Sequence, residues 1–236
     1  MTLTSDATAA MHLPRPRHTL RLAGREWRHN QRSVDAFELA AKRDGRQTVT
    51  VRASYGRPEE ETERWSLWRK EPDLMRAEFT VGGETVEAVW RGHTWWSSSP
   101  TRGYQTNNGR PNYGHGIGPA DALLDPAKLL PVVDLQVREK TSLLDRPTYR
   151  LTARPRPAEW PRAGVPIAPV TLGAGGDEYE LMLDPESGLL LRTEARLSDI
   201  PFRVIEVEEL AVDTDMPSRI FELAPGAEFR DGAEHS

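Results

Sequence analysis

Few residues of this chain have the types and spacing that a reaction needs. His93 and His115 are the only histidines in the middle of the sequence, and neither has the HxxxH or HExxH spacing of a zinc site. His93 and the serines at 97–99 resemble a base and a nucleophile, but no GxSxG turn accompanies them. The chain has no cysteine, which excludes disulfides and thiol chemistry. We therefore predict no catalytic residues, no metal and no cofactor, and we lean towards a protein that is not an enzyme.

Tryptophan is the residue type that says most about function. Five of the seven tryptophans lie between Glu61 and Gly103, namely Trp65, Trp68, Trp90, Trp95 and Trp96. They either fill a core or line an apolar pocket, because aromatic side chains are common in both places. Stacking on single-stranded nucleic acid is disfavoured by the net charge of -5, so we predict no nucleic-acid partner. Since neighbouring strand residues point to opposite faces, Trp95 and Trp96 cannot both face the interior.

The apolar residues around these tryptophans alternate with polar ones, which predicts antiparallel strands. The alternation begins at Gln47, continues through 65–90 and includes a two-residue hairpin turn at Gly82-Gly83. A second series of strands is predicted from Tyr179 to Val207, and a hairpin about 145–147 precedes it.

Two segments have the composition of helices. Ser33 to Arg43 begins with a capping serine, and its apolar residues Val34, Phe37 and Ala41 recur at helical spacing. The leucine-rich stretch from Asp121 to Val133 is predicted to be a second helix, with Asp125-Pro126 as an internal restart.

The ends of the chain are polar. Residues 1–18 are predicted to be a disordered arm and 230–236 a disordered tail, which leaves 19–229 as one domain. Met1 to Arg17 contains no apolar run typical of a secretory signal, and no stretch approaches the ~18 apolar residues of a membrane span. These features predict a cytoplasmic protein without a membrane span, or an envelope protein if translation starts further upstream.

The closing strands resemble the LolA-like superfamily of lipoprotein carriers. The hairpin YELMLDPESGLLLRTEARL and the later MPSRIFELAPGAEF are similar to the last strands of that superfamily. The stretch GETVEAVWRGHTWWSSSP is similar to an earlier pair of its strands, and LLDPAKLLP at 123–131 stands where the family has a helical lid. The matching residues of the closing strands are Leu183, Asp184, Gly188, Leu189, Arg192, Pro217, Phe221, Pro225 and Gly226.

The resemblance implies a mainly β (α+β) fold, a single unclosed, curved antiparallel β-barrel of roughly 10–11 strands with short helices over its concave face. Relatives hold acyl chains, lipoproteins or glycolipids there, and some regulate sigma factors. This chain departs from the anchored and periplasmic relatives because the sequence shows neither a lipidated cysteine nor a signal peptide.

We accordingly expect a lipid or acyl chain to bind between the sheet and the lid. The expected ligand-binding residues are Trp65, Leu67, Met75, Phe79, Trp90, Trp95, Leu129 and Leu130. One alternative is a regulatory domain that grips a protein partner such as a sigma or anti-sigma factor. Another is an enzyme in which Glu78, His93 and Tyr104 converge in the cavity.

Overall fold

A computed structural model of the chain describes residues 3–11, 18–43, 58–101, 103–107, 117–156, 172–222 and 229–231. Within these ranges, the helices are α1 (Leu3–Met11), α2 (Asn30–Arg43) and α3 (Asp121–Leu124). Turns of 3-10 helix cover Gly118–Ala120, Pro126–Leu129 and Ser218–Phe221. The strands are β1 (Thr19–His29), β2 (Glu60–Lys70), β3 (Leu74–Val81), β4 (Glu84–Arg91), β5 (Thr94–Ser99), β6 (Gly103–Thr106), β7 (Val133–Leu143), β8 (Arg146–Pro155), β9 (Glu178–Asp184), β10 (Leu189–Leu197), β11 (Ile200–Val212) and β12 (Phe229–Asp231).

The strands belong to one sheet in the order β12-β6-β5-β4-β3-β2-β1-β11-β10-β9-β8-β7. Neighbours from β2 to β6 and from β7 to β11 pair antiparallel, while the short β12 pairs parallel with β6. The order has two ends, β12 and β7, so the sheet is not closed. The predicted fold class, a mainly β and unclosed antiparallel sheet with short helices, is confirmed.

By contact density the chain divides into two compact units. The first unit comprises Met1–Arg15, Arg25–Thr62 and Asp121–Val207, and the second comprises Pro16–Gly24, Glu63–Ala120 and Glu208–Ser236. The predicted boundaries of a single domain over 19–229 stay a prediction.

The core of the first unit lies on β8, β9 and β10. Leu151, Leu181 and Thr193 occupy facing register positions and are almost completely buried, and the short helix α3 packs against β10. The segment predicted as helical from Asp121 to Val133 has the predicted restart at Asp125-Pro126, but the part after it is a 3-10 turn and not an α-helix. Pro126 cannot donate the backbone hydrogen bond that would continue α3, and β7 already begins at Val133.

Helix α2 confirms the helix predicted from Ser33 to Arg43, and Ala41 is buried, but Phe37 is not on the buried side. The helix begins at Asn30, and its inner side carries the buried Ala36 and Ala40, while Phe37 is 43% exposed. The reason is a close backbone contact, because a Cβ at Gly175 would lie 1.9 Å from the carbonyl oxygen of Ala36. Only small side chains fit the helix face that makes this approach.

Two more differences concern the ends of the chain. Leu3–Met11 forms α1 inside the arm predicted to be disordered, with Ala7, Ala10 and Met11 buried and the helix packed against β7 and β9. The strand β12 reaches into the predicted tail. The strand expected after Gln47, and Pro225 and Gly226, lie outside the described residues. Of the helices described, none combines the length and apolarity needed to cross a bilayer.

Candidate functional site

Strands β2 to β5, in the second unit, present one face that is rich in tryptophan. The register pairs Trp65 with Phe79, Met75 with Trp90, and Trp90 with Trp95, so these side chains share that face. We call it the aromatic face, and it consists of Trp65, Leu67, Met75, Ala77, Phe79, Val86, Ala88, Trp90, Trp95 and Ser97. The six ligand-binding residues that the sequence predicts on these strands therefore all lie on the aromatic face.

Large and small side chains are arranged in rows across this face. Trp65, Phe79 and Val86 form one row, and Met75, Trp90 and Trp95 form another. Between them lies a row of small residues, Ala77, Ala88 and Ser97, which we call the alanine trough. Residues two apart on a strand are ~6.6 Å apart, so the two bulky rows flank the trough at roughly 13 Å from each other.

The aromatic face is shielded from water. Ala77, Ala88 and Ser97 are 1%, 0% and 3% exposed, and every tryptophan on the face is buried. Part of the cover is the turn at Gly118–Ala120, which packs on β3. A Cβ at Gly118 would lie 2.8 Å from the ring of Phe79, which is too close for a side chain. Only glycine therefore allows the turn to approach the ring this closely.

Trp65 contributes the one polar group of its row. Its side chain is 3% exposed, and its indole Nε1–H has no hydrogen-bond partner within the described structure. A buried donor without a partner is uncommon in folded proteins, since the group has given up water and gained nothing in return.

The direction of Trp95 is held by polar groups that the sequence patterns do not reveal. The backbone amide of Trp95 donates to the side-chain oxygen of Asn107 at 3.0 Å, and the Thr106 hydroxyl donates to the Trp95 carbonyl at 2.8 Å. Asn107 is 1% exposed and also donates to the carbonyl of His93 at 2.7 Å. In the sequence Asn107 is one of many polar loop residues, and only its asparagine type hints at a turn-stabilising role.

The reverse face of the same strands is filled by the chain itself. Val89, Met216 and Phe221 form a buried cluster there, with Trp68, Leu74 and Ile220 packed around it. The cations of Lys70, Arg76 and Arg91 donate to the carbonyls of Met216, Ile220 and Phe221, at 3.0, 2.9 and 3.1 Å respectively. Trp96 is on this side, opposite Val89, so the prediction that Trp95 and Trp96 point apart is confirmed.

The other predicted site residues lie elsewhere. Leu129, which is buried, and Leu130, which is half-buried, belong to the first unit, where α1 packs on the turn that contains Leu129. Their function as a lid stays a prediction.

The three polar residues of the enzyme alternative are not brought together on the aromatic face. Glu78 is on the reverse face, where it binds Arg76 at 2.7 Å. Tyr104, opposite Ser98, is on that face too, but three strands away, on the order of 14 Å. His93 is exposed in the β4–β5 turn. Across the described ranges, no three histidine, cysteine, aspartate or glutamate side chains form a group that could hold a metal ion.

A buried ion cluster in the first unit was not predicted. Glu26 is 3% exposed and accepts hydrogen bonds from Arg28 and, at 2.7 Å, from Arg203. Burial raises the pKa of Glu26, but the two guanidinium groups outweigh burial and hold that pKa below its ordinary value. Because the carboxylate is matched by its cations, the cluster is best explained as structural.

No family model matches the chain, and no curated protein matches its sequence. Several solved structures are similar in fold. MucB, also solved in complex with MucA from Pseudomonas aeruginosa, is 15% identical with a TM-score of 0.52, over 95% of this chain and 64% of the MucB chain. An uncharacterised conserved protein from Thermus thermophilus is 11% identical with a TM-score of 0.52, over 97% of this chain and 99% of that one. The LolA superfamily protein NE2245 from Nitrosomonas europaea is 11% identical with a TM-score of 0.31, over 94% and 98% of the two chains.

At sequence identities this low, the similarity shows a shared fold and nothing about function. MucB and the Thermus thermophilus protein share the fold of this chain, the unclosed antiparallel sheet that the resemblance of the closing strands predicts, and membership of the LolA-like superfamily stays a prediction. The chain spans 64% of the length of MucB.

Proposed function

We propose that this protein binds a hydrophobic ligand, a lipid or acyl chain, on the aromatic face and holds it without reacting with it. The observation that carries the proposal is the alanine trough, a row of small side chains between two rows of bulky apolar ones. A trough of this shape suits a narrow and flexible chain better than a flat or bulky molecule.

Burial of the ligand's methylene groups would supply most of the affinity. Each buried methylene contributes about 0.8 kcal/mol, so a chain of about ten methylenes gains up to roughly 8 kcal/mol before the cost of ordering it is subtracted. The two rows of aromatic and aliphatic side chains provide the contacts. The reverse face is covered by residues 216–221 of the chain.

The proposal is tested with protein purified from its host. Native mass spectrometry after mild desalting should detect a bound lipid, and decanoate derivatives added to delipidated protein should change the tryptophan fluorescence. Ala88→Val narrows the trough and should weaken binding about tenfold or more, because overpacking leaves less room for the chain. Thr85→Val is the matched control, since it places the same side chain on the reverse face of β4. If the wild-type protein carries no lipid and its fluorescence responds to none, the proposal is wrong.

A second candidate function is the binding of a protein partner, such as a sigma or anti-sigma factor. The observation that favours it is the similarity to MucB, which has been solved bound to MucA. Size-exclusion chromatography of the tagged protein from its host should then give a complex of defined stoichiometry that contains no lipid. If Ala88→Val dissociates that complex, the partner occupies the aromatic face. Lipid-loaded protein without a partner would instead support the first function.

A further inference from the structure

The cover of the reverse face of β2 to β5 is a terminal segment of the chain itself. Residues 216–222 follow β11 and cross that face, and we call them the C-terminal strap. The strap belongs to no strand of the described sheet, and the amide of Ile220 donates locally, to the carbonyl of Pro217 at 3.1 Å. Side-chain contacts with the sheet, rather than strand pairing, therefore hold the strap in place.

The contacts between strap and sheet do not depend on which copy of the chain supplies the strap. Met216 and Phe221 are 4% and 1% exposed, and they pack with Val89 of β4. At one end of the strap, Lys70 donates to the carbonyl of Met216 at 3.0 Å. At the other end, Arg91 donates to the carbonyl of Phe221 at 3.1 Å. Because the partners belong either to the sheet or to the strap, an identical strap from a second molecule can make the same contacts.

A short hinge, Asp213 to Asp215, joins the strap to β11, and its three residues are exposed. Asp213 has a φ of +53°, which is uncommon for a residue other than glycine. Its carboxylate accepts a hydrogen bond from the amide of His18 at 3.0 Å, and its own amide donates to the carbonyl of Thr19 at 2.9 Å. These bonds stabilise the turned hinge that lays the strap on its own sheet. An extended hinge would break them and carry the strap away from that sheet.

We propose that the reverse face is a docking surface for the strap of a second copy of this chain, and that the hydrogen bonds of Asp213 favour the closed monomer. In the exchanged dimer, each strap covers the reverse face of the other molecule, and β12, which follows the strap and pairs with β6, moves with it. The two forms contain the same strap contacts, so their free energies differ mainly at the hinge and in the entropy of association. This inference goes beyond the proposed function and holds whether or not the aromatic face binds a lipid.

Mixing of isotopes tests the exchange on the full-length wild-type protein. Equal amounts of 15N-labelled and unlabelled chain are mixed in urea, refolded at high concentration and separated into monomer and dimer by size-exclusion chromatography. A zero-length carbodiimide cross-link should join Lys70 to Asp215, because Lys70 binds the carbonyl of the next residue, Met216. In the dimer, this cross-link should join labelled to unlabelled peptides, while in the monomer both peptides should carry the same label.

The other outcomes of this experiment overturn the inference. Refolding at high concentration that gives no dimer would show that the strap does not exchange. A dimer whose cross-linked peptides always carry matching labels would show that the two chains meet through another surface. Absence of the cross-link from the monomer would contradict the contact between strap and sheet on which the inference depends. Since no variant is needed, a substitution that prevents folding cannot obscure the result.

The hinge is tested with Asp213→Ala. This variant loses the bond to the His18 amide, which exists only in the closed form, so its association constant for dimerisation should rise about tenfold or more. Asp213→Asn keeps an acceptor and tolerates the positive φ, so it should behave as the wild type does. Asp215→Ala is the matched control, because Asp215 lies in the same exposed hinge but its carboxylate bonds no amide of β1 in the described structure. If Asp213→Ala dimerised no more strongly than Asp215→Ala, the role assigned to Asp213 would be wrong.

Discussion

The side-chain oxygen of Asn107 accepts a hydrogen bond from the backbone amide of Trp95 at 3.0 Å, at the start of the strand that places Trp95 on the aromatic face. Asn107 follows the end of β6, while Trp95 is the second residue of β5. A slip of one residue in the pairing of β5 would exchange Trp95 for Trp96 on the aromatic face. By binding both Trp95 and the carbonyl of His93, Asn107 stabilises the register in which Trp95 is inside.

Replacement of Asn107 should therefore be costly. Asn107→Ala leaves two backbone groups at the start of β5 without partners, and we expect a loss of about 2–3 kcal/mol in the free energy of unfolding, measured with urea. Gln105→Ala, on the same strand but half-buried, should cost within about 0.5 kcal/mol. If the two variants unfolded at the same urea concentration, the hydrogen bonds of Asn107 would not contribute to the stability of the fold.

Sequence patterns alone predict much of the candidate site. Strict alternation in β2 to β5 is enough to place Trp65, Phe79 and Trp90 on one face, because the period of a strand fixes which residues share a side. The same rule predicts that Trp95 and Trp96 point apart, but it cannot say which is inside. That choice depends on Asn107, which the chain brings to β5 through a turn that leaves no periodic signal.

The fold was harder to predict where backbone contacts override side-chain patterns. Helical spacing in α2 favours Phe37 as a buried residue, yet the contact between Gly175 and Ala36 turns that residue outward. Such a contact links residues far apart in sequence, so no local pattern contains it. Helix α1 escaped prediction for a different reason, because its buried residues are mainly alanines, whose weak hydrophobicity resembles that of a disordered arm.

The contact at Gly175 gives the next prediction. Gly175 has a φ of +92°, and a Cβ there would lie 1.9 Å from the carbonyl oxygen of Ala36, so Gly175→Ala must displace α2 as well as strain the backbone. We expect it to lower the free energy of unfolding by about 3 kcal/mol or more. Gly83→Ala is the control for strain alone, because Gly83 has a similar φ of +83° but no atom within 4 Å of the added Cβ. It should cost about 1 kcal/mol, and equal losses in the two thermal melts would show that the helix contact is unimportant.

The Glu26 cluster predicts a dependence on pH. Arg203→Met leaves the Glu26 carboxylate with one of its two arginine partners and should cost about 3 kcal/mol at pH 7. Since the two arginines lower the folded-state pKa of Glu26, the stability they provide is complete above the unfolded pKa and is lost as the pH falls through the folded one. The difference between wild type and Arg203→Met should thus be complete above the ordinary pKa of 4.5 and shrink as the pH is lowered from there towards about 3.

The surface pair of Arg25 and Glu206 provides the control for that experiment. The two side chains are 2.8 Å apart, but Arg25 is 53% exposed, so Arg25→Met should cost no more than about 1 kcal/mol. Urea unfolding of both variants at several pH values gives the comparison. A stability loss in Arg203→Met that stays constant down to about pH 3 would contradict the assignment of the effect to the carboxylate of Glu26.

The two faces of β2 to β5 should respond separately to mutation, because one is proposed to bind ligand and the other is covered by residues 216–221. Phe221 is 1% exposed and packs with Val89 and Met216 on the reverse face. Phe221→Leu should cost about 1–2 kcal/mol and Phe221→Ala about 3–4 kcal/mol, as the cavity left behind becomes larger. Both variants should bind decanoate derivatives as the wild type does, measured by tryptophan fluorescence at temperatures where they are folded. If Phe221→Leu weakened the binding of decanoate derivatives as strongly as Ala88→Val, the ligand would have to be on the reverse face, and the aromatic face would be a solid core.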